Sequence, residues 1–204
     1  MTTKQETKLD LNTNIVKTLY GKVKTNALED YLMPELTEDT KRYLAYRQLN
    51  TLEIIEESNC NKFDNNAMPG YYCDDTAEEF TPKAFYKDDM EKEYKNLFGK
   101  NTTLTHKNIQ PGNACFVGYQ YIEARDQYVE GECDQLFTTK LTTTKELVKA
   151  TTKDSIIKLY EKVTYYSDIG VEPPKTLKNG TYIYTFQLDP DYNYIYISKE
   201  LESK

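Results

Sequence analysis

Between Asn113 and Asp134 the chain reads NACFVGYQYIEARDQYVEGECD, and here its hydrophobic period changes from that of a helix to that of a strand. Two runs rich in Tyr, Phe, Val and Ile flank a polar turn, with Cys115 and Cys133 at the outer ends. That is the pattern of a β-hairpin. Everything before it, from residue 12 to 100, reads mainly as helix, and everything from 113 to 200 as antiparallel strand. A fold in which helices precede one sheet belongs to the α+β class.

Helical spacing recurs three times before the change. Leu11, Ile15, Val16, Leu19, Tyr20 and Val23 recur at helical spacing behind Asn12 or Thr13 as N-cap, with Gly21 as a weak point. Thr37 caps a second helix whose first turn holds Glu38 and Asp39, where acidic groups suit the dipole. Thr81, Pro82 and Gly99 bound a third, with Tyr86, Met90, Tyr94, Leu97 and Phe98 as its buried stripe. After the change come three hairpins. The first turns at Ala124 and the second at Thr152–Ser155; the third, TYIYTFQL and YNYIYIS, turns around Asp189-Pro190-Asp191. The expected architecture is three N-terminal helices followed by a six-stranded meander. Residues 1–11 would be a disordered or linker segment, and 12–204 a single domain.

The cysteines fall as two close pairs, Cys60 with Cys73 and Cys115 with Cys133. An even, locally paired set points to disulfides and an oxidising, extracytoplasmic setting. A bridge from Cys60 to Cys73 would pin the long Asn/Asp/Gly-rich loop 59–80 and contribute roughly 3 kcal/mol by the chain-entropy model.

The net charge of −7 repels phosphate backbones, and only Arg42, Arg47 and Arg125 offer a guanidinium, so nucleic acid is not an expected partner. No apolar stretch approaches the ~18 residues of a membrane helix. Apolar residues make up 38% of the chain, and its nineteen tyrosines compensate with large half-wettable rings.

No catalytic or metal set stands out. His106 is the only histidine and reads as an exposed loop residue. No cysteine spacing is C-x-x-C, and no cofactor is expected. Asp189, Asp191 and Asn193 match the first ligands of a calcium loop, but Tyr194 stands where the sharp turn needs Gly, so they read as a hairpin turn. The acidic pairs Asp74-Asp75, Glu78-Glu79 and Asp88-Asp89 read as solvated charge. That leaves Tyr119, Tyr121, Tyr182, Tyr184, Tyr194 and Tyr196, whose strands could present a contact surface for a protein or glycan. Tyrosines filling cross-strand pairs would give the same pattern.

The succession FTPKAFYKDDMEKEYKNLFGK, the Tyr-rich hairpin, ELVKATTKDSIIKLYEKVTYYSD and GTYIYTFQLDPDYNYIYIS resembles uncharacterised extracytoplasmic, anchor-proximal domains of low-GC Gram-positive bacteria. The order of elements is also similar to cystatin-like and nuclear-transport-factor-2-like folds. The first resemblance implies an envelope location. The expected function is a non-enzymatic cell-envelope or secreted binding module. The alternative is a small-ligand-binding or hydrolytic domain using the concave face of a curved sheet.

Overall fold

A computed structural model describes residues 5–25, 34–49, 53–54, 83–109, 118–131, 141–167 and 175–202. In chain order its elements are β1 (Thr7–Lys8), α1 (Asn14–Val23), α2 (Glu38–Tyr46), β2 (Glu53–Ile54), β3 (Lys83–Tyr86), α3 (Lys87–Phe98), β4 (Gly118–Ile122), β5 (Gln127–Gly131), β6 (Leu141–Lys153), β7 (Ile156–Ser167), β8 (Lys175–Leu188) and β9 (Tyr194–Leu201). The four cysteines and the loop 59–80 lie outside the described residues.

The chain gathers into two compact units where one was expected. Met1–Thr37, Asn96–Asn101 and Thr138–Lys204 form the first, and Glu38–Lys95 with Thr102–Phe137 the second. Each has its own antiparallel sheet, of order β1-β6-β7-β8-β9 in the first unit and β2-β3-β5-β4 in the second. The fold is α+β, but the single six-stranded meander is corrected to these two sheets. The helices are also not all N-terminal: β1 precedes α1, and β3 precedes α3.

In the first unit the alternation of a half-buried sheet is plain. Ile157, Leu159, Val163 and Tyr165 of β7 are buried with Tyr182, Tyr184 and Phe186 of β8, whereas Lys158, Lys162 and Thr164 face water on the other side. Helix α1 contributes Val16, Leu19 and Val23 to the core, spaced three and four apart as one helical face requires. Burying each stabilises by roughly 1.5–3 kcal/mol relative to exposure. The segment expected to be a linker contributes β1, which pairs Thr7 with Thr152 and Lys8 with Thr151.

Three register shifts interrupt this sheet, at Leu147/Lys149, Tyr165/Tyr166 and Thr185/Phe186. The residues left over are Val148, Leu177 and Ile197, and all three are exposed aliphatics. A bulge leaves one residue outside the ladder and reverses which parity of side chain points inward beyond it. In β9, Tyr196 pairs with Phe186 on the buried face. Beyond the bulge at Ile197, Lys199 rather than Ser198 joins that face, opposite Tyr184.

In the second unit, the segment expected to open the third helix is instead strand. Lys83–Tyr86 pairs with β5, setting Phe85 opposite Tyr128 with rings stacked at 4.9 Å and 12°. Cross-strand aromatic pairing thus outweighs the local helix signals of Thr81 and Pro82. Helix α3 starts at Lys87, with Asp88 and Asp89 in its first turn. Met90, Tyr94, Leu97 and Phe98 are buried as expected, but Tyr86 is exposed. Gly99 follows at φ +103°, the left-handed position that favours glycine. The β4–β5 hairpin turns through Glu123–Arg125, with Ala124 at its centre and Asp126 left-handed.

Candidate functional site

Three side-chain arrangements stand out, two in the first unit and one in the second. The first is centred on Glu161, which is 0% exposed at mid-strand in β7. Its register position puts it among Leu159, Val163 and Tyr182 on the apolar face. A carboxylate there is tolerable only if its oxygens are hydrogen-bonded. Both are: the Tyr20 hydroxyl of α1 donates to Oε1, and the Tyr184 hydroxyl donates to Oε2 at 2.6 Å. Burial first, and then the neighbouring carboxylate, push the Tyr20 and Tyr184 phenols up. Tyr196 is pushed up for the same two reasons. Lys199 extends over the Tyr182 ring, 4.7 Å from its centroid, and burial lowers its ammonium to about 8.

The second is the end of the β8–β9 hairpin. Asp189 Oδ1 accepts the backbone N–H groups of Asp191 (2.9 Å) and Asn193 (2.8 Å), and Asp189 N–H donates to the Asn193 carbonyl at 2.8 Å. A carboxylate gathering backbone amides in this way organises a turn. Lys100 pairs with Asp191 at 2.9 Å, so the segment after α3 is tied to the hairpin end. Within this frame Tyr192 has φ 64° and is 85% exposed. A bulky residue in the left-handed region is strained, and Gly or Asn is the usual occupant.

The third, in the second unit, joins Glu91, His106 and Tyr128. His106 Nδ1 lies 2.8 Å from the Tyr128 hydroxyl and Nε2 lies 3.2 Å from Glu91 Oε1. A carboxylate can only accept, which assigns a proton to Nε2 and leaves Nδ1 facing the Tyr128 hydroxyl. The ring stacks on Tyr121 at 4.8 Å and 22°. The expected exposed loop histidine is thus corrected to a half-buried, doubly bonded one. Its acidic partner lies fifteen residues upstream on α3, which short-range inspection misses. Nearby, the buried Arg42 donates to Asp39 Oδ1 (2.7 Å) and to the Thr105 carbonyl (3.1 Å).

The six candidate tyrosines separate accordingly. Tyr182, Tyr184 and Tyr196 are buried around Glu161, and Tyr119 is buried between Tyr46 (4.8 Å) and Phe85 (5.1 Å). These four rings are core, because the inward face of each strand is where large aromatics find partners. Tyr121 and Tyr194 keep part of their surface. Glu161, Tyr192, Arg42 and Lys199 were not among the expected site residues. Glu161 did carry a signal, as one acid in the register of Ile157, Leu159, Val163 and Tyr165.

Comparison with known families, curated proteins and solved structures gives no match for this chain. Among the described residues, no group of three His, Cys, Asp or Glu is placed to hold a metal ion. No described helix is long and apolar enough to cross a membrane.

Proposed function

We propose that the chain is a non-catalytic binding module of the cell envelope or a secreted protein, engaging a protein or glycan through the Tyr192 end of its β8–β9 hairpin. The observation that carries this reading is an 85% exposed tyrosine held at φ 64° in a turn braced by Asp189 and Lys100. Such an outlier persists only where the surroundings impose it, and such strain gathers at ligand clamps and binding positions. A pre-organised aromatic also loses little entropy on binding. Tyr194, half-exposed at the start of β9, extends the aromatic surface. The hydrolytic alternative is less well supported, because both nitrogens of His106 and both oxygens of Glu161 are engaged within the protein.

Tyr192→Gly separates a binding role from a structural one. It relieves the positive φ, so unfolding in urea should show a gain of about 1 kcal/mol. Retention on envelope preparations from the source cells should fall about tenfold, as for a lost aromatic anchor. Equal retention of the variant, or none by the wild-type chain, would discard the reading. Envelope placement is tested by counting thiols on denatured, unreduced protein from its native compartment: four free thiols would contradict it.

A further inference from the structure

Charge is divided unequally between the two units. The first holds sixteen Lys and Arg against fourteen Asp and Glu, a formal +2, and the second ten against nineteen, a formal −9. All three arginines lie in the acidic unit, so the basic groups of the first are lysines alone. Several of them meet on the water-facing side of its sheet. By register, Lys149 stands opposite Tyr160, and Thr151 opposite both Lys158 and Lys8. Lys153 follows on the same strand face as Lys149 and Thr151.

A carboxylate already sits among them. Glu6 Oε1 accepts the Thr151 hydroxyl at 2.6 Å, and Thr151 is only 3% exposed. The Thr151 hydrogen bond first, and then the Lys149, Lys158 and Lys153 ammoniums, hold the Glu6 carboxyl below its ordinary range. Glu6 itself is exposed, so the field of three lysines is directed at a point open to solvent. Lys149 is steadied over the Tyr160 ring, 4.5 Å from its centroid.

We propose that this face of β1, β6 and β7 is a docking surface for an acidic polysaccharide of the uronate type, one of whose carboxylates displaces Glu6 from Thr151 and the surrounding lysines. Glu6 is then an internal stand-in for the ligand and holds the surface partly closed. The chemistry of the stand-in is that of a carboxylate. Compact lysine charges without an arginine fork also suit point-charge attraction better than bidentate phosphate recognition. Lys149 and Lys153 are four residues apart, about 13 Å of strand, which suits a linear polyanion better than a single small ion. Thr142, Thr144, Thr164 and Thr181 continue the same face with hydroxyls able to meet sugar hydroxyls.

The probe is a fluorescent oligogalacturonate, titrated in low salt against wild type, Glu6→Gln and the double variant Lys149→Gln/Lys158→Gln. Wild-type binding should weaken steeply with salt, as screening demands. Glu6→Gln should bind roughly threefold to tenfold tighter and the lysine double variant roughly tenfold weaker, by loss of a competing anion and of two attracting charges. The Thr151 amide should shift on titration, and Tyr192→Gly should leave the affinity unchanged, separating this surface from the hairpin end. No binding by wild type, no gain with Glu6→Gln, or no loss with the lysine variant would overturn the proposal. So would equal binding of polyphosphate at matched charge. Glu6 and Lys149 are exposed and Lys158 half-buried, and a retained unfolding midpoint confirms that each variant is folded.

Discussion

Lys199 illustrates how a single residue can hold a protein below its stability optimum. It is drawn into the face that contains Glu161 and Tyr182, and burial lowers its folded pKa to about 8, against roughly 10.4 for an unperturbed lysine. Between pH 8 and 10 the unfolded chain therefore holds the proton more firmly than the folded one. Stability should rise with pH across that window. Above pH 10 the sign reverses, because the Tyr20 and Tyr184 phenols are pushed up and the unfolded chain loses their protons first. Lys199→Met should abolish the rise and stabilise at pH 7 by about 1–2 kcal/mol, allowing for the side chain's remaining contact with water. Urea unfolding at half-unit pH steps would show it. A wild-type profile flat from pH 8 to 10 would sink the argument. Glu161 beside it was legible as an oddity, an acid in an apolar register. Its partners were not, because Tyr20 is 141 residues away and only the folded chain brings its hydroxyl to Oε1.

At the scale of elements, the strand faces of β7 and the second half of β8 could be read from alternation, because a half-buried sheet imposes a period of two. The bulges could not, since an inserted residue looks like any other in a Tyr/Ile-rich run. They decide the content of the buried face. The extra residue at Ile197 is what brings Lys199 to lie opposite Tyr184, and the one at Val148 turns Lys145 inward, where it donates to the Thr25 carbonyl at 2.8 Å. The bulges also account for exposed aliphatics without a binding role. Ile197→Ser should then alter stability by less than about 0.5 kcal/mol, as surface changes do. Deleting Ile197 should close the bulge while Ser198 stays opposite Thr185 and Lys199 opposite Tyr184, so the buried face keeps its content and stability should change by no more than about 1 kcal/mol. Thermal unfolding of the two variants checks both, and a deletion that costs several kcal/mol would refute the parity argument. The strand Lys83–Tyr86 is hidden in the sequence for a related reason. Its pairing of Phe85 with Tyr128 is a long-range contact that local capping signals do not report.

Over the whole molecule, chain order and spatial grouping disagree. The change of period near residue 113 does not divide the units, because β4 and β5 follow it and belong with α2 and β3. The strands after residue 138 pair with one another and with β1, and their buried face includes α1. A fragment comprising residues 138–204 therefore looks complete as two hairpins but lacks the Val16, Leu19 and Val23 stripe. In it, Glu161 also loses the Tyr20 donor and retains only Tyr184 among its two phenols. Half-satisfied, that carboxylate destabilises the face it once organised, since a buried acceptor without its donor costs about 1–3 kcal/mol. Three lost apolar contacts add roughly 1.5–3 kcal/mol each. Together these approach the whole stability of a small domain, about 5–15 kcal/mol. The fragment should show no cooperative thermal transition by circular dichroism, whereas the full chain should. If the fragment alone melted sharply near the full-length midpoint, α1 would be an appendage to the sheet and not the cover of its core.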